Sequence, residues 1–138
     1  MAVTPTSCST FVQIWVDSTA VQEGTTNGVY LVDNMLLHGS TNEGTPNLTT
    51  QLTLNSNICW SLLNVDPNST TVLSFQEFGN SNAYGPDGTP KPFNSTNYTG
   101  QVQNVGASSY SIKFNVLPAS GNGITVTVSP SFNVVAAQ

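Results

Sequence analysis

The chain has 138 residues, a length typical of one domain, and only 7 % of them are charged. Two lysines and seven acids give a formal net charge of -5, the wrong sign for neutralising phosphate groups. Composition therefore excludes nucleic acid and anionic membranes as expected partners. It predicts instead a neutral surface of hydroxyl and amide groups, with little charge repulsion to oppose self-association into a homo-oligomer or higher assembly.

The first ten residues, 1–10, are predicted to form an N-terminal arm. They contain neither a basic leader nor an apolar run of signal-peptide length, and no stretch of 18 apolar residues occurs in the sequence. We therefore expect a cytoplasmic protein without a signal peptide or a transmembrane segment. Cys8 and Cys59 are expected as two ordinary thiols, and the sequence leaves open whether they pair.

Period-two alternation begins after the arm and predicts strands. Residues 11–16, FVQIWV, alternate between two faces and are β-branched or aromatic. Residues 28–34 and 34–39 predict two short strands that meet at a turn at Asp33 and Asn34. Residues 48–54 alternate with their leucines and Thr50 on one side, as in a half-buried strand.

The same pattern continues to the end of the chain, with segments at 57–65, 71–78 and three more after residue 97, separated by Gly, Pro or Asn. The one helix-like segment, 17–24, holds two turns at most. Strands that recur about every ten residues predict an all-β fold. We expect a single antiparallel β-sandwich domain over 1–138, jelly-roll-like or Ig-like, with about eight or nine strands and a long loop at 85–96.

Catalytic and metal chemistry lack the residues they need. His38 could reach Ser40, two residues on along a strand, but no acid is placed to orient it, and Cys59 lies in an apolar strand that favours an inert thiol. One histidine and two distant cysteines cannot close a transition-metal site, and single carboxylates such as Asp66 are typical of Asx turns. The sequence predicts no enzyme, no metal and no cofactor.

The long loop and its flanks nevertheless combine aromatic rings with amide and carboxylate groups. The candidate ligand contacts are Tyr84, Asp87, Phe93, Asn94 and Tyr98. Aromatic faces can pack on the apolar side of a sugar ring while Asp and Asn bind its hydroxyl groups. This reading predicts a lectin-like module with a carbohydrate partner; the alternative is that the aromatic side chains only hold the loop on the sandwich.

Several segments resemble a known family, the AidA/PixA family of bacterial inclusion-body proteins. They are GVYLVDN (28–34), GSTNEGTPNLTTQL (39–52) and ICWSLLNVDPNSTTVLSFQEFG (58–79). FVQIWVD, which ends at Asp17, resembles the family's V-x-V-x-V-D strand, and Trp60 and Ser61 match its I-x-W-S strand. One departure is Ser129, which stands where the family has an acid before Pro130.

The resemblance implies a small β-sandwich that is found in dense intracellular inclusions and expressed under quorum control, without established catalytic residues to carry over. The first hypothesis is thus a non-enzymatic structural or storage protein that self-associates. The lectin-like module remains the alternative.

Overall fold

A computed structural model describes residues 3–137, which form eleven β-strands and three short 3-10 helices. The strands are β1 (Thr10–Val16), β2 (Val29–Asp33), β3 (Thr49–Thr53), β4 (Asn57–Asn64), β5 (Val72–Phe78), β6 (Lys91–Asn94), β7 (Asn97–Gln101), β8 (Gly106–Ser109), β9 (Ile112–Leu117), β10 (Ile124–Val128) and β11 (Ser131–Val135). The 3-10 helices are Pro5–Ser7, Leu36–His38 and Asn82–Tyr84. No α-helix occurs among these residues, and the predicted all-β class is confirmed.

The strands form three sheets that enclose one hydrophobic core. The largest sheet has the order β2-β1-β4-β7-β6, and the two smaller sheets have the orders β10-β9-β5 and β3-β11-β8. Buried residues of all three sheets belong to the same cluster, and the Trp60 ring of β4 packs edge-on against the Phe132 ring of β11, with centroids 6.4 Å apart. The small sheets thus cover the inner face of the large one, as expected of a β-sandwich.

Two strand pairings differ from the predicted antiparallel arrangement. β1 runs parallel to β4, and β11 runs parallel to β3, while the other pairs are antiparallel. Parallel neighbours need long connections. Here more than thirty residues separate the partners in each pair, so crossovers place distant segments side by side where a local turn cannot.

The centre of the core is aromatic and contains one buried polar contact. The Trp60 indole Nε1–H donates a hydrogen bond to the Tyr110 hydroxyl at 3.2 Å, and both side chains are buried. The Tyr110 ring stacks on the ring of Phe132 at a centroid distance of 4.2 Å. The hydroxyl therefore satisfies the one indole donor that burial of Trp60 removes from water.

Three predicted segments take other forms. Residues 34–39, predicted as a strand, contain the 3-10 helix Leu36–His38, because Gly39 adopts a left-handed φ of 113° and ends the segment in a turn. Residues 17–24 form turns. The predicted loop 85–96 contains strand β6, which pairs with β7 and leaves only residues 85–90 and a two-residue turn between strands.

The predicted arm is held against the large sheet. Its first two residues, like residue 138 of the predicted domain, lie outside the described residues. Cys8 is joined to Cys59 of β4 by a disulfide with a Cα–Cα distance of 5.9 Å, so the expectation of two free thiols is wrong. The cysteines lie 51 residues apart in sequence, but the parallel pairing of β1 with β4 brings them together.

Candidate functional site

The structure does not bring the five predicted contact residues together. Tyr84 is fully buried in the 3-10 helix Asn82–Tyr84, and burial raises the pKa of its hydroxyl. Tyr98 points inward from β7, and its ring stacks on Phe78 at a centroid distance of 4.7 Å. These two tyrosines fit the alternative in which aromatic rings hold the loop on the sandwich.

The other three predicted contacts are exposed, and two of them make local hydrogen bonds. The backbone N–H of Asp87 donates to the Gln103 side chain at 3.2 Å, and Asn94 accepts hydrogen bonds from Thr96 and Asn97 in the β6–β7 turn. Phe93 projects from β6 with 62 % of its surface exposed. Asp87, Phe93 and Asn94 stay predictions as contact residues.

The residues considered for nucleophilic catalysis have other surroundings. His38 is exposed at the end of its 3-10 helix. Ser40 is buried and its hydroxyl accepts a hydrogen bond from the Gln51 backbone N–H at 3.0 Å, while the Cys59 sulfur belongs to the disulfide. Within residues 3–137, no group of three or more His, Cys, Asp and Glu side chains is placed to hold a metal ion.

A pair of acidic side chains lies beside the β2 edge. The Asp33 backbone N–H donates to Glu43 Oε1 at 2.9 Å, and the other oxygens of the two carboxyl groups are buried without a polar partner in the described structure. The pKa of Glu43 is raised from 4.5 to about 7. Burial is the larger cause, and the neighbouring Asp33 carboxyl is the second. The arrangement favours a protonated Glu43 carboxyl, whose O–H can donate a hydrogen bond to the Asp33 carboxylate.

The edges of the three sheets are the next candidate sites, because an unpaired edge can template pairing with another chain. β2 is covered by the loop that follows it, since the Gly44 N–H donates to the Leu31 carbonyl at 2.7 Å. β3 is covered by Thr41, whose backbone exchanges two hydrogen bonds of 3.0 Å with Thr49. Neither edge is open to a further strand at these residues.

Three more edges are blunted in other ways. β6 carries Lys91 and Pro92, residues that disfavour strand addition. The Phe75 N–H of β5 donates to the Ser95 carbonyl at 2.8 Å. β8 has four residues and lies against the 3-10 helix Asn82–Tyr84.

The edge of β10 has none of these protections in the described structure. Its sequence, ITVTV, is uncharged and has no proline, and it pairs with β9 alone in an unbroken register. A cleft of about 530 Å³ borders it, lined by residues 24–27, Thr125 and Thr127. The lining carries no charge, so an approaching strand would meet hydroxyl and amide groups only. We call this edge with its cleft the β10 edge.

Sequence reasoning missed the β10 edge, although a signal was present. Alternating Thr and Val without Lys, Pro or Asp marks a strand that lacks the usual devices against edge pairing. The strand order was needed to show that β10 ends its sheet.

No helix within residues 3–137 is both long and apolar enough to cross a bilayer.

Comparison with known proteins gives a family and a fold. Residues 8–121 match a family described as a domain of unknown function, DUF8788. No curated protein matches the chain. Among fifteen similar chains of solved structures is the inclusion body protein PixA of Burkholderia cenocepacia, at 11 % identity and a TM-score of 0.61, covering 99 % of this chain and 100 % of that one. The likeness confirms the predicted resemblance to PixA at the level of the fold.

Proposed function

The chain belongs to the DUF8788 family of domains of unknown function, and on that premise we propose that it is a non-enzymatic protein that self-associates into an ordered assembly through the β10 edge. The proposal rests on the contrast between the β10 edge and the five other sheet edges, which are covered, short or carry residues that disfavour pairing. Self-association of a stored or structural protein also fits the name of its structural relative, an inclusion body protein.

Surface charge supports the same proposal. With 7 % charged residues, the chain has few groups whose repulsion would keep copies apart. The exposed Thr127 and half-buried Thr125 flank the buried Val126, so a second β10 strand would meet a surface of hydroxyl and methyl groups. Addition of a strand would satisfy the unpaired backbone groups of the edge without burying a charge.

The absence of a catalytic role is part of the proposal and has its own support. The two nucleophile candidates are engaged elsewhere, Ser40 with a backbone N–H and Cys59 with a second sulfur. His38, the single histidine of the chain, lies on an exposed 3-10 turn. The structural relative carries a name that describes an assembly and no reaction.

The test is the mass of the protein in solution as a function of concentration. Sedimentation velocity or light scattering from micromolar to millimolar concentration should show a weight-average mass that rises above 14.5 kDa. Thr127→Lys places a lysine on the edge strand, a residue that disfavours strand pairing, and we expect it to weaken association by at least about tenfold. The matched control is Thr70→Lys, the same change at an exposed position outside the strands.

A charge-swap pair tests whether two β10 strands meet antiparallel about Val126. In that register Thr125 of one copy lies opposite Thr127 of the other. Thr125→Lys with Thr127→Lys should abolish association, and Thr125→Glu with Thr127→Lys should restore it, because unlike charges then face each other. A wild-type protein that stays monomeric at millimolar concentration would overturn the proposal, as would a Thr127→Lys variant that assembles like the wild type.

A further inference from the structure

The outer face of the large sheet carries exposed aromatic side chains. β1 and β2 run side by side there, and Phe11 and Tyr30 each expose 43 % of their surface. Trp15 is half-buried and is the direct cross-strand neighbour of Tyr30. None of the three belongs to the core cluster. Three aromatic rings therefore share one side of this two-strand surface.

A shallow concavity lies at the Phe11 end of this surface. Its volume is about 170 Å³, and it is lined by Phe11, Gln13, Val32, Asp33 and Asn34. It lies along the β1–β2 seam, because Gln13 is the cross-strand partner of Val32. Rings and concavity together are called the β1–β2 platform.

The polar groups of the platform are held in place by hydrogen bonds. The Trp15 Nε1–H donates to Gln13 Oε1 at 3.1 Å, which fixes the glutamine and the indole relative to each other. Asn34 uses both ends of its amide, accepting from the Phe11 N–H at 2.9 Å and donating to the Ser9 carbonyl at 3.1 Å. In the described structure the Gln13 side-chain nitrogen has no partner, so it is the donor that the platform presents to a ligand.

The neighbouring part of the same face is closed. The arm crosses β4 and β7, where Cys59 lies in the disulfide and the Thr99 hydroxyl donates to the Val3 carbonyl at 2.7 Å. Cys59 and Thr99 are buried as a result. The arm thus covers Cys59 and Thr99 and passes beside Phe11, the cross-strand neighbour of Cys59.

Charge limits what can bind to the platform. Asp33, at its rim, is the one charged side chain among the lining residues, and its Oδ1 accepts a hydrogen bond from the Met35 N–H at 2.8 Å. No cation is present in the lining to balance a phosphate or sulfate group. Both oxygens of the Asp33 carboxyl are therefore turned away from a ligand, since Oδ2 is buried. Aromatic faces with an amide donor complement a ligand that has an apolar face, hydroxyl groups and no charge.

We propose that the β1–β2 platform binds a pyranose ring of a neutral carbohydrate, with the C–H face of the sugar on the Trp15 and Tyr30 rings and a hydroxyl group bound by Gln13. The site is separate from the loop residues around Phe93 and does not depend on self-association through the β10 edge.

The structure supplies its own reporter for the test. The chain has two tryptophans, of which Trp60 is fully buried and Trp15 lies on the platform. Titration of the protein with a soluble neutral β-glucan, and separately with a neutral mannan, should shift the Trp15 emission to shorter wavelength and protect it from acrylamide quenching by at least one of them. Heparin, a sulfated polymer, should produce no shift.

Variants locate the site. Trp15→Ala and Tyr30→Ala should each weaken binding of the responding glycan by about tenfold, measured by affinity electrophoresis in gels containing the glycan. Gln13→Ala, at an exposed position where the substitution should not affect folding, should weaken glycan binding several-fold. Leu117→Ala is the matched control, an exposed apolar residue on β9, and should bind as the wild type does.

Three results would overturn the proposal. The first is the absence of a response to every neutral glycan of an array together with both polymers. The second is binding that survives both Trp15→Ala and Gln13→Ala, or that Leu117→Ala abolishes. The third is a Trp15 emission shift that follows protein concentration without added glycan, which would assign the platform to contacts between copies of the chain.

Discussion

Removal of the Cys8–Cys59 disulfide should destabilise the protein substantially without changing its fold. The disulfide joins residues 51 positions apart, so in the oxidised chain it closes a long loop of the unfolded state. Chain-entropy scaling for a loop of this length gives about 4 kcal/mol of stabilisation at 25 °C. Loss of the cross-link acts mainly on the unfolded chain, because other contacts hold the arm in the native state.

Those other contacts are visible in the structure. The Ser9 N–H donates to the Asn57 carbonyl at 3.1 Å, the Asn57 side chain donates to the Ser7 carbonyl at 3.3 Å, and Thr99 holds the Val3 carbonyl. The arm should therefore stay in place after reduction. For a chain of 138 residues, a loss of about 4 kcal/mol corresponds to a fall in Tm of about 12–20 °C.

The assay is thermal unfolding by circular dichroism of the oxidised protein, the reduced protein and a variant with Cys8→Ala and Cys59→Ala. Reduced and variant proteins should melt together, well below the oxidised one, and a reducing agent should leave the Tm of the double variant unchanged. The predicted stabilisation fails if the oxidised and reduced proteins melt within about 2 °C of each other, a difference far below that expected from loop closure. It fails also if peptide mapping of air-oxidised protein finds both thiols free.

Two further predictions concern buried polar groups. Because the folded pKa of Glu43, about 7, lies above its ordinary 4.5, its contribution to stability is complete below pH 4.5 and is lost as pH rises through 7. Glu43→Gln, whose amide can donate to Asp33, should remove this loss and raise the free energy of unfolding at pH 8 by about 1–2 kcal/mol. Urea unfolding at pH 5 and pH 8 measures the effect. An equal effect at the two pH values would contradict the assignment of the pH dependence to Glu43. Tyr84→Phe removes a buried hydroxyl without a partner in the described structure and should leave stability unchanged or raise it by up to about 1 kcal/mol, whereas Tyr110→Phe leaves the Trp60 N–H unpaired and should cost about 1–3 kcal/mol. Equal costs for the two tyrosines would refute this account.

The fold class could be predicted from sequence because local signals were consistent. Strand β3 shows how far this goes: Leu48, Thr50 and Leu52 share one face of an alternating segment, and all three are buried. The parallel pairings of β1 with β4 and of β11 with β3 could not be predicted, because they join segments whose relation depends on the whole strand order. The disulfide was missed for the same reason, since it follows from the parallel pairing.

The β1–β2 platform shows why a candidate site can escape a pattern that is correct. The alternation of residues 11–16 assigned Phe11, Gln13 and Trp15 to one face and Val12, Ile14 and Val16 to the other, and the structure has both sets where the alternation puts them. Each set has at least two large apolar side chains, so period two alone does not decide which face is inside. Packing in the core determines which face of β1 is inside. Trp60 of β4 fills the centre of the sandwich beside β1, and the space that remains at β1 fits branched aliphatic side chains. The aromatic face is then left outside, and its exposure is a consequence of packing that only the assembled sheets reveal.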